Sequence, residues 1–181
     1  MSRQRIVIGV SGASGAIYGV RLLQMARDLD LETHLVMSRS AKVAAAHEGS
    51  MKVQEIEALA SVTHAADNIA ASISSGSFRS VGMIVAPCSI RTLSEIAYGT
   101  TSSLLTRADR QHRHALAGPP LHLGHLRAMT MAAESGAVIM PPAPAFYAKP
   151  QSIDDIVNHT CARALDLFGF SVSGIERWRG G

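Results

Sequence analysis

An α/β fold with a mainly parallel sheet is what this 181-residue sequence predicts. Three observations carry the prediction. An apolar β-type run, Ile6-Val7-Ile8-Gly9-Val10, enters a glycine-spaced turn and then a helical pattern. A second β-type run, 33–37, returns after that helix, which makes a βαβ unit. A third, continuous apolar run, 81–86, reads as a central parallel strand and is followed by another helical pattern. At 47% hydrophobic with mean hydropathy +0.16, the chain can bury one substantial core, and one domain over 1–181 is expected.

The first turn is the chemical focus. Gly9-x-x-Gly12-x-x-Gly15 between a strand and a helix lets backbone approach a phosphate closely, and a helix start offers unpaired N–H groups and a positive dipole end. Ser11 and Ser14 add hydroxyl donors. A dinucleotide fold would end its second strand on an acidic residue for the ribose; here Ser38 and Arg39 stand there, which favours a mononucleotide such as FMN over a nicotinamide.

The elements follow in order. Residues 16–28 carry Ile17, Val20, Leu22, Leu23 and Met25 at helical spacing, the crossover helix. Ser38 to Ser40 reads as the N-cap of a helix over 41–47, with Glu48 just past its end, and 52–60 is a short amphipathic segment. The hydroxyl-rich stretch 72–78 is either a solvated loop or a second anion-contacting loop. Pro87-Cys88-Ser89 ends the central strand before a helix over 90–98, and loops at strand carboxyl ends are where open α/β sheets bind ligands. A helix is predicted over 121–134, a short strand over 137–140, a stiff proline-rich loop over 141–147, and a last helix from Ser152 to about Phe168 with Asp154 and Asp155 in its first turn.

Composition narrows the class of partner. The net charge of +3 is spread along the chain and suits a small anion better than a nucleic-acid track. Arg107, Arg110 and Arg113 lack interleaved aromatics for base stacking. Cys88 and Cys161 have neither disulfide-framework nor zinc spacing, and the histidines at 112, 114, 122 and 125 lack a partnering carboxylate or thiolate. No base is near Cys88 to activate it as a nucleophile. Glycines and serines interrupt the amino-terminal apolar run, no stretch is long enough to span a bilayer, and a cytoplasmic protein is expected.

Several motifs in order, Ser11-Gly12-Ala13-Ser14-Gly15-Ala16, Ser74-Ser75-Gly76-Ser77-Phe78, Pro87-Cys88-Ser89, Pro141-Pro142 with Ala145-Phe146-Tyr147, and Pro150-Gln151-Ser152, resemble the UbiX-type flavin prenyltransferases, long labelled small subunits of phenolic acid or 3-octaprenyl-4-hydroxybenzoate decarboxylases. The resemblance implies a flavodoxin-like (Rossmann-type) three-layer α/β/α fold that binds FMN. It implies metal-independent transfer of a dimethylallyl group from dimethylallyl phosphate to flavin N5 and C6, yielding prenylated FMN for a UbiD-type decarboxylase. By position it implies Gly12, Ala13, Ser14, Ser38, Ser89, Ile90, Arg91 and Thr92 at FMN, and Ser75, Arg107, Tyr147, Arg163 and Trp178 around the prenyl phosphate. Ser14 and Glu48 are implied as the proton-handling pair. A dodecamer with sites at subunit interfaces is also implied.

One segment departs from that pattern. Where the family carries a lysine-bearing helix end and an apolar strand, residues 108–120 are shorter and have no apolar run, so no strand is predicted there. The family's phosphate-binding lysine, flavin-contacting arginine and catalytic glutamate lack counterparts, the nearest positions being Ala117 and Gly118. Two alternatives to the transferase stand beside it: an FMN-binding carrier or accessory subunit without transferase activity, and an FMN-dependent cysteine decarboxylase, the latter disfavoured by the 74–78 and Tyr147 motifs.

Overall fold

The computed structural model describes residues 3–49, 51–108, 113–115 (as backbone) and 121–178. Among these residues six strands form one parallel sheet: β1 (Arg5–Val10), β2 (Glu32–Met37), β3 (Val62–His64), β4 (Gly82–Val85), β5 (Arg113–Ala115) and β6 (Ala137–Ile139). Their order is β3-β2-β1-β4-β5-β6, so the direction of winding reverses between β1 and β4. That reversal is where such sheets open a crevice beyond the strand ends.

Among the described residues seven α-helices cover the sheet: α1 (Ala16–Asp28), α2 (Arg39–Glu48), α3 (Val53–Glu57), α4 (Ile90–Ala97), α5 (Leu104–Ala108), α6 (Leu123–Glu134) and α7 (Ile153–Asp166). The central strands β1 and β4 are apolar on both faces because each face has its own core. Ile6, Ile8, Leu35, Met37 and Ile84 pack with Leu22, Leu23 and Ala26 of α1 and Val157, Cys161 and Leu165 of α7. The alternating residues Val7, Val36, Met83 and Val85 pack with Leu93 and Ile96 of α4, Leu104 and Leu105 of α5, and Ala128 and Met129 of α6. This gives the three layers the sequence predicts. At Gly19 a Cβ would lie 2.8 Å from the Ala86 carbonyl oxygen, which is why α1 can press so closely on the strand ends.

Most predicted elements appear within a residue or two of the expected limits. Glu48 is a correction: it is the last residue of α2, not a residue beyond it. The expectation of no strand in 108–120 is also corrected, since Arg113–Ala115 pairs with both Met83–Val85 and Ala137–Ile139. The ladder groups of β4 and β6 need a partner between them, and that demand is met by backbone regardless of side-chain propensity. Ala117 and Gly118 lie outside the described residues. The strand β3 and the helix α5 carry no sequence prediction at all. His122 and His125 serve the α6 amino terminus, His122 Nδ1 accepting from the Gly124 amide at 3.0 Å.

The β3 edge is tied on by a polar relay. Glu32 Oε1 accepts from Arg5 Nε at 3.1 Å and meets His34 Nε2 at 3.0 Å, while His34 Nδ1 and His64 Nε2 lie 2.9 Å apart. Burial, and then the neighbouring His34, hold the His64 pKa below its ordinary value. A histidine depressed in the fold makes its full contribution to stability above its ordinary pKa and loses it as pH falls below that value and through the lowered one. Backbone amides of Val62–His64 are therefore expected to exchange hydrogen markedly faster at pH 5 than at pH 7.5, after correction for intrinsic rates. His64→Gln should flatten that difference.

Candidate functional site at the strand carboxyl ends

Three loops meet beyond the carboxyl ends of β1, β2 and β4. Ser11 joins two of them: its hydroxyl donates to the Pro87 carbonyl at 3.0 Å and accepts from the Ser89 amide at 2.6 Å. Fully buried, Ser11 is thus a structural tie, which corrects its expected role as a phosphate donor. Gly12 joins the third, because Ser40 fills the space a Cβ would need. Ser38 caps α2 by accepting from the Ala41 amide at 3.0 Å, and its hydroxyl lies 3.1 Å from that of Ser40. Ser89 caps α4, accepting from the Thr92 amide at 3.2 Å and donating to the Thr92 hydroxyl at 3.0 Å. Ile90 and Thr92 sit inward on that first turn, whereas Arg91 is exposed and pairs with Glu95 at 3.0 Å.

The start of α1 differs from the open anion cradle the sequence predicts. Gly15, at φ 100°, is its N-cap and offers no side chain. Glu48 Oε2 accepts instead from the Gly15 and Ala16 amides at 2.9 and 3.1 Å. Burial alone would raise the Glu48 pKa, but hydrogen bonds from Gly15, the Ser14 side chain and Ala16 outweigh it and hold the carboxyl below the usual carboxylate range. So Ser14 and Glu48 are brought together as expected, around a carboxylate rather than a neutral acid. The free edge of Glu48 faces a groove of about 540 Å³ whose apolar wall includes Ile17, Val20, Met51 and Ile56.

The other expected residues fall into two groups elsewhere on the chain. Ser75 and Arg107 line one small cavity of about 20 Å³ with Val7, Phe78 and Gly82, toward the amino ends of β1 and β4. Arg107 Nε is buried there with no hydrogen-bond partner among the described residues. The Ser75 hydroxyl lies 2.8 Å from that of Ser77 and accepts from the Ser77 amide at 3.3 Å.

The last group gathers on α7 and the carboxyl-terminal tail. The Tyr147 hydroxyl lies 3.0 Å from His159 Nε2, and its ring meets that of Trp178 edge-on at 5.7 Å. Asp166 receives two hydrogen bonds from Arg177, at 2.6 and 2.7 Å, and one from Arg163 at 3.1 Å. The hydrogen bonds and charge of Arg177 hold the Asp166 pKa low and anchor the tail. His159 and Asp166 are the contributors sequence reasoning missed; their signal is the helical spacing 159, 163, 166, which places them on one side of α7. No hydrogen bond, ion pair or ring contact among the described residues joins the three groups.

Cys88 and Cys161 are both buried, and burial pushes the Cys161 thiol up to about 12. Among the described residues no helix is long and apolar enough to cross a membrane.

Gly12 is open to direct test. Gly12→Ala is expected to weaken FMN binding about tenfold, because the added methyl must displace Ser40 and with it Ser38. Flavin fluorescence titration measures this, and a second change, Ser40→Gly, should restore affinity. Unaltered binding by Gly12→Ala would show that the three loops do not set the flavin site.

Comparison with known proteins agrees with this architecture. Residues 1–165 match the flavoprotein family model. Flavin prenyltransferase UbiX of Escherichia coli (strain K12) is 54% identical over 187 aligned positions, covering 98% of this chain and 99% of that protein. An alignment longer than this chain requires gaps in it, as expected where a segment is shortened. A crystal structure of AnUbiX in complex with FMN and dimethylallyl pyrophosphate superposes with a TM-score of 0.96 at 41% identity, covering 99% of this chain and all of that one. A dodecameric FMN-dependent UbiX-like decarboxylase from Escherichia coli O157:H7 gives 0.94 at 40% identity, covering 98% of this chain and all of that one. On sequence and fold alike, the chain belongs to the UbiX-type flavin prenyltransferases of the flavoprotein family.

Proposed function

We propose that this chain transfers a dimethylallyl group from dimethylallyl phosphate to FMN, without a metal, and hands prenylated FMN to a UbiD-type decarboxylase. The observation that carries this reading is the near-complete match, at 54% identity, to a flavin prenyltransferase. We place the protein in the cytoplasm, where two buried cysteines outside any disulfide persist reduced.

The residues present fit a flavin mononucleotide. Gly12 keeps the loop against Ser40, the Thr92 hydroxyl accepts from Ser89 and retains its own proton to donate, and the Ser38–Ser40 pair has one further proton to offer. When bound, FMN supplies the ring atoms N5 and C6 to which the dimethylallyl group is joined. Arg107, Ser75, Arg163 and Tyr147 are the proposed holders of the prenyl phosphate, which leaves with the electron pair of the broken carbon–oxygen bond. Fixed positive charge on that oxygen lowers the barrier. Ser14 passes the proton released on ring closure to Glu48, already held as a carboxylate and so ready to accept it.

Three separate groups of residues on one chain fit a pocket completed by further copies. The cavity beside Arg107 has room for about one water, too little to enclose a phosphate by itself, and a neighbour in a homo-oligomer, a dodecamer by analogy with the E. coli O157:H7 protein, would supply the further walls of the phosphate site. The departure in 108–120 favours a second reading, an FMN-binding module without transferase activity. Anaerobic incubation with reduced FMN and dimethylallyl phosphate, followed by mass spectrometry of the extracted flavin, decides between them. Flavin heavier by one dimethylallyl group is expected; unmodified FMN from a folded, flavin-bound protein overturns the transferase.

A further inference from the structure

We infer that His159 is a positioning residue for Tyr147, setting both where its hydroxyl sits and which way its proton points; the inference rests on the proposed role of Tyr147 at the prenyl phosphate. Tyr147 sits in a 3-10 turn, Phe146–Ala148, after a proline-rich approach that stiffens the backbone. Its side chain is 44% exposed, so packing alone does not fix the ring. Trp178 meets the ring edge-on and the charge of Arg177 is felt at the phenol, but the hydroxyl's hydrogen-bond partner among the described residues is His159 Nε2, at 3.0 Å.

The base of that contact is rigid. His159 lies mid-way along α7, whose neighbouring Val157, Thr160 and Cys161 are buried. A residue on such an element holds its partner more tightly than one on a loop.

Proton counting gives the contact a direction. A phenol has one proton and two lone pairs. To donate to a phosphate oxygen, Tyr147 must keep that proton free, so His159 Nε2 must be the donor into the phenol oxygen. Donation into the oxygen also polarises the O–H and strengthens its bond to an anion. Glutamine at 159 can donate in the same way; leucine cannot.

The test uses the full chain with reduced FMN and varied dimethylallyl phosphate. His159→Leu is expected to raise KM for dimethylallyl phosphate about five- to tenfold, the size of one lost hydrogen bond, with FMN affinity unchanged. His159→Gln should return KM to near the wild-type value. In a Tyr147→Phe background, His159→Leu should have no further effect, because the interaction it removes is already gone. An unchanged KM in His159→Leu, or the same loss whether His159→Leu is made in the wild-type chain or in Tyr147→Phe, overturns the inference. Loss of FMN binding in both His159 variants would make the residue structural and overturn it too. Absence of prenylated flavin from the wild-type chain itself overturns instead the transferase reading on which it rests.

Discussion

Glu48→Gln is expected to slow prenyl transfer by about a hundredfold or more while leaving the fold intact. The amide oxygen of glutamine can still accept from the Gly15 and Ala16 N–H groups, so the α1 amino terminus keeps most of its cap. What it cannot do is take a proton. Glu48→Ala separates the two roles: it should lose the same chemistry and, in addition, about 1 kcal/mol of stability through the vacated cap. The pH dependence follows from the sign of the shift. A carboxyl whose pKa is depressed in the fold contributes stability above its ordinary range, near about 4.3, and loses that contribution as pH falls through the folded value. Thermal midpoints of wild type and Glu48→Ala should therefore converge in acid, and a rate for Glu48→Gln close to wild type would remove Glu48 from the chemistry.

Arg107→Leu should move affinity and stability in opposite directions. An arginine nitrogen buried without a partner among the described residues is a cost to the folded chain, so its removal is expected to leave the melting temperature unchanged or raise it. The same guanidinium beside Ser75 is well placed for an anion, and losing a charge-assisted hydrogen bond should raise KM for dimethylallyl phosphate roughly 10- to 100-fold. Arg107→Lys should recover little of this, because an ammonium lacks the planar fork. A fall in stability together with an unchanged KM would assign Arg107 to structure alone.

The sequence makes the βαβ core legible because burial on both faces turns whole strands apolar, as in Ile6–Val10 and Met83–Val85. It also exposes the caps at Ser38, Ser89 and Ser152, since each needs only one hydroxyl at one spacing. It hides β3, whose Val-Thr-His is half polar at a sheet edge, and β5, where a ladder rather than an apolar pattern makes the strand. Within the candidate site, the meeting of Ser14 with Glu48 and of Tyr147 with Trp178 is anticipated by the family resemblance alone. The capture of the α1 terminus by Glu48 does not, because no local pattern says that residues 15 and 48 will touch. Ser11 misleads for a related reason: a serine in a glycine-rich turn looks like a ligand until its hydroxyl is found bridging to Pro87 and Ser89.

The pairing of β5 bears on how this lineage can change. The ladder of Arg113–Ala115 keeps the outer strand β6 attached to the centre of the sheet, and backbone of almost any sequence can provide it. Architecture and reactivity are thus inherited separately in that crossover: side chains there can be lost to mutation without the molecule falling apart. Selection on folding alone would then not purge a chain that had lost its catalytic competence, and such chains could persist as reservoirs from which new flavin chemistry arises.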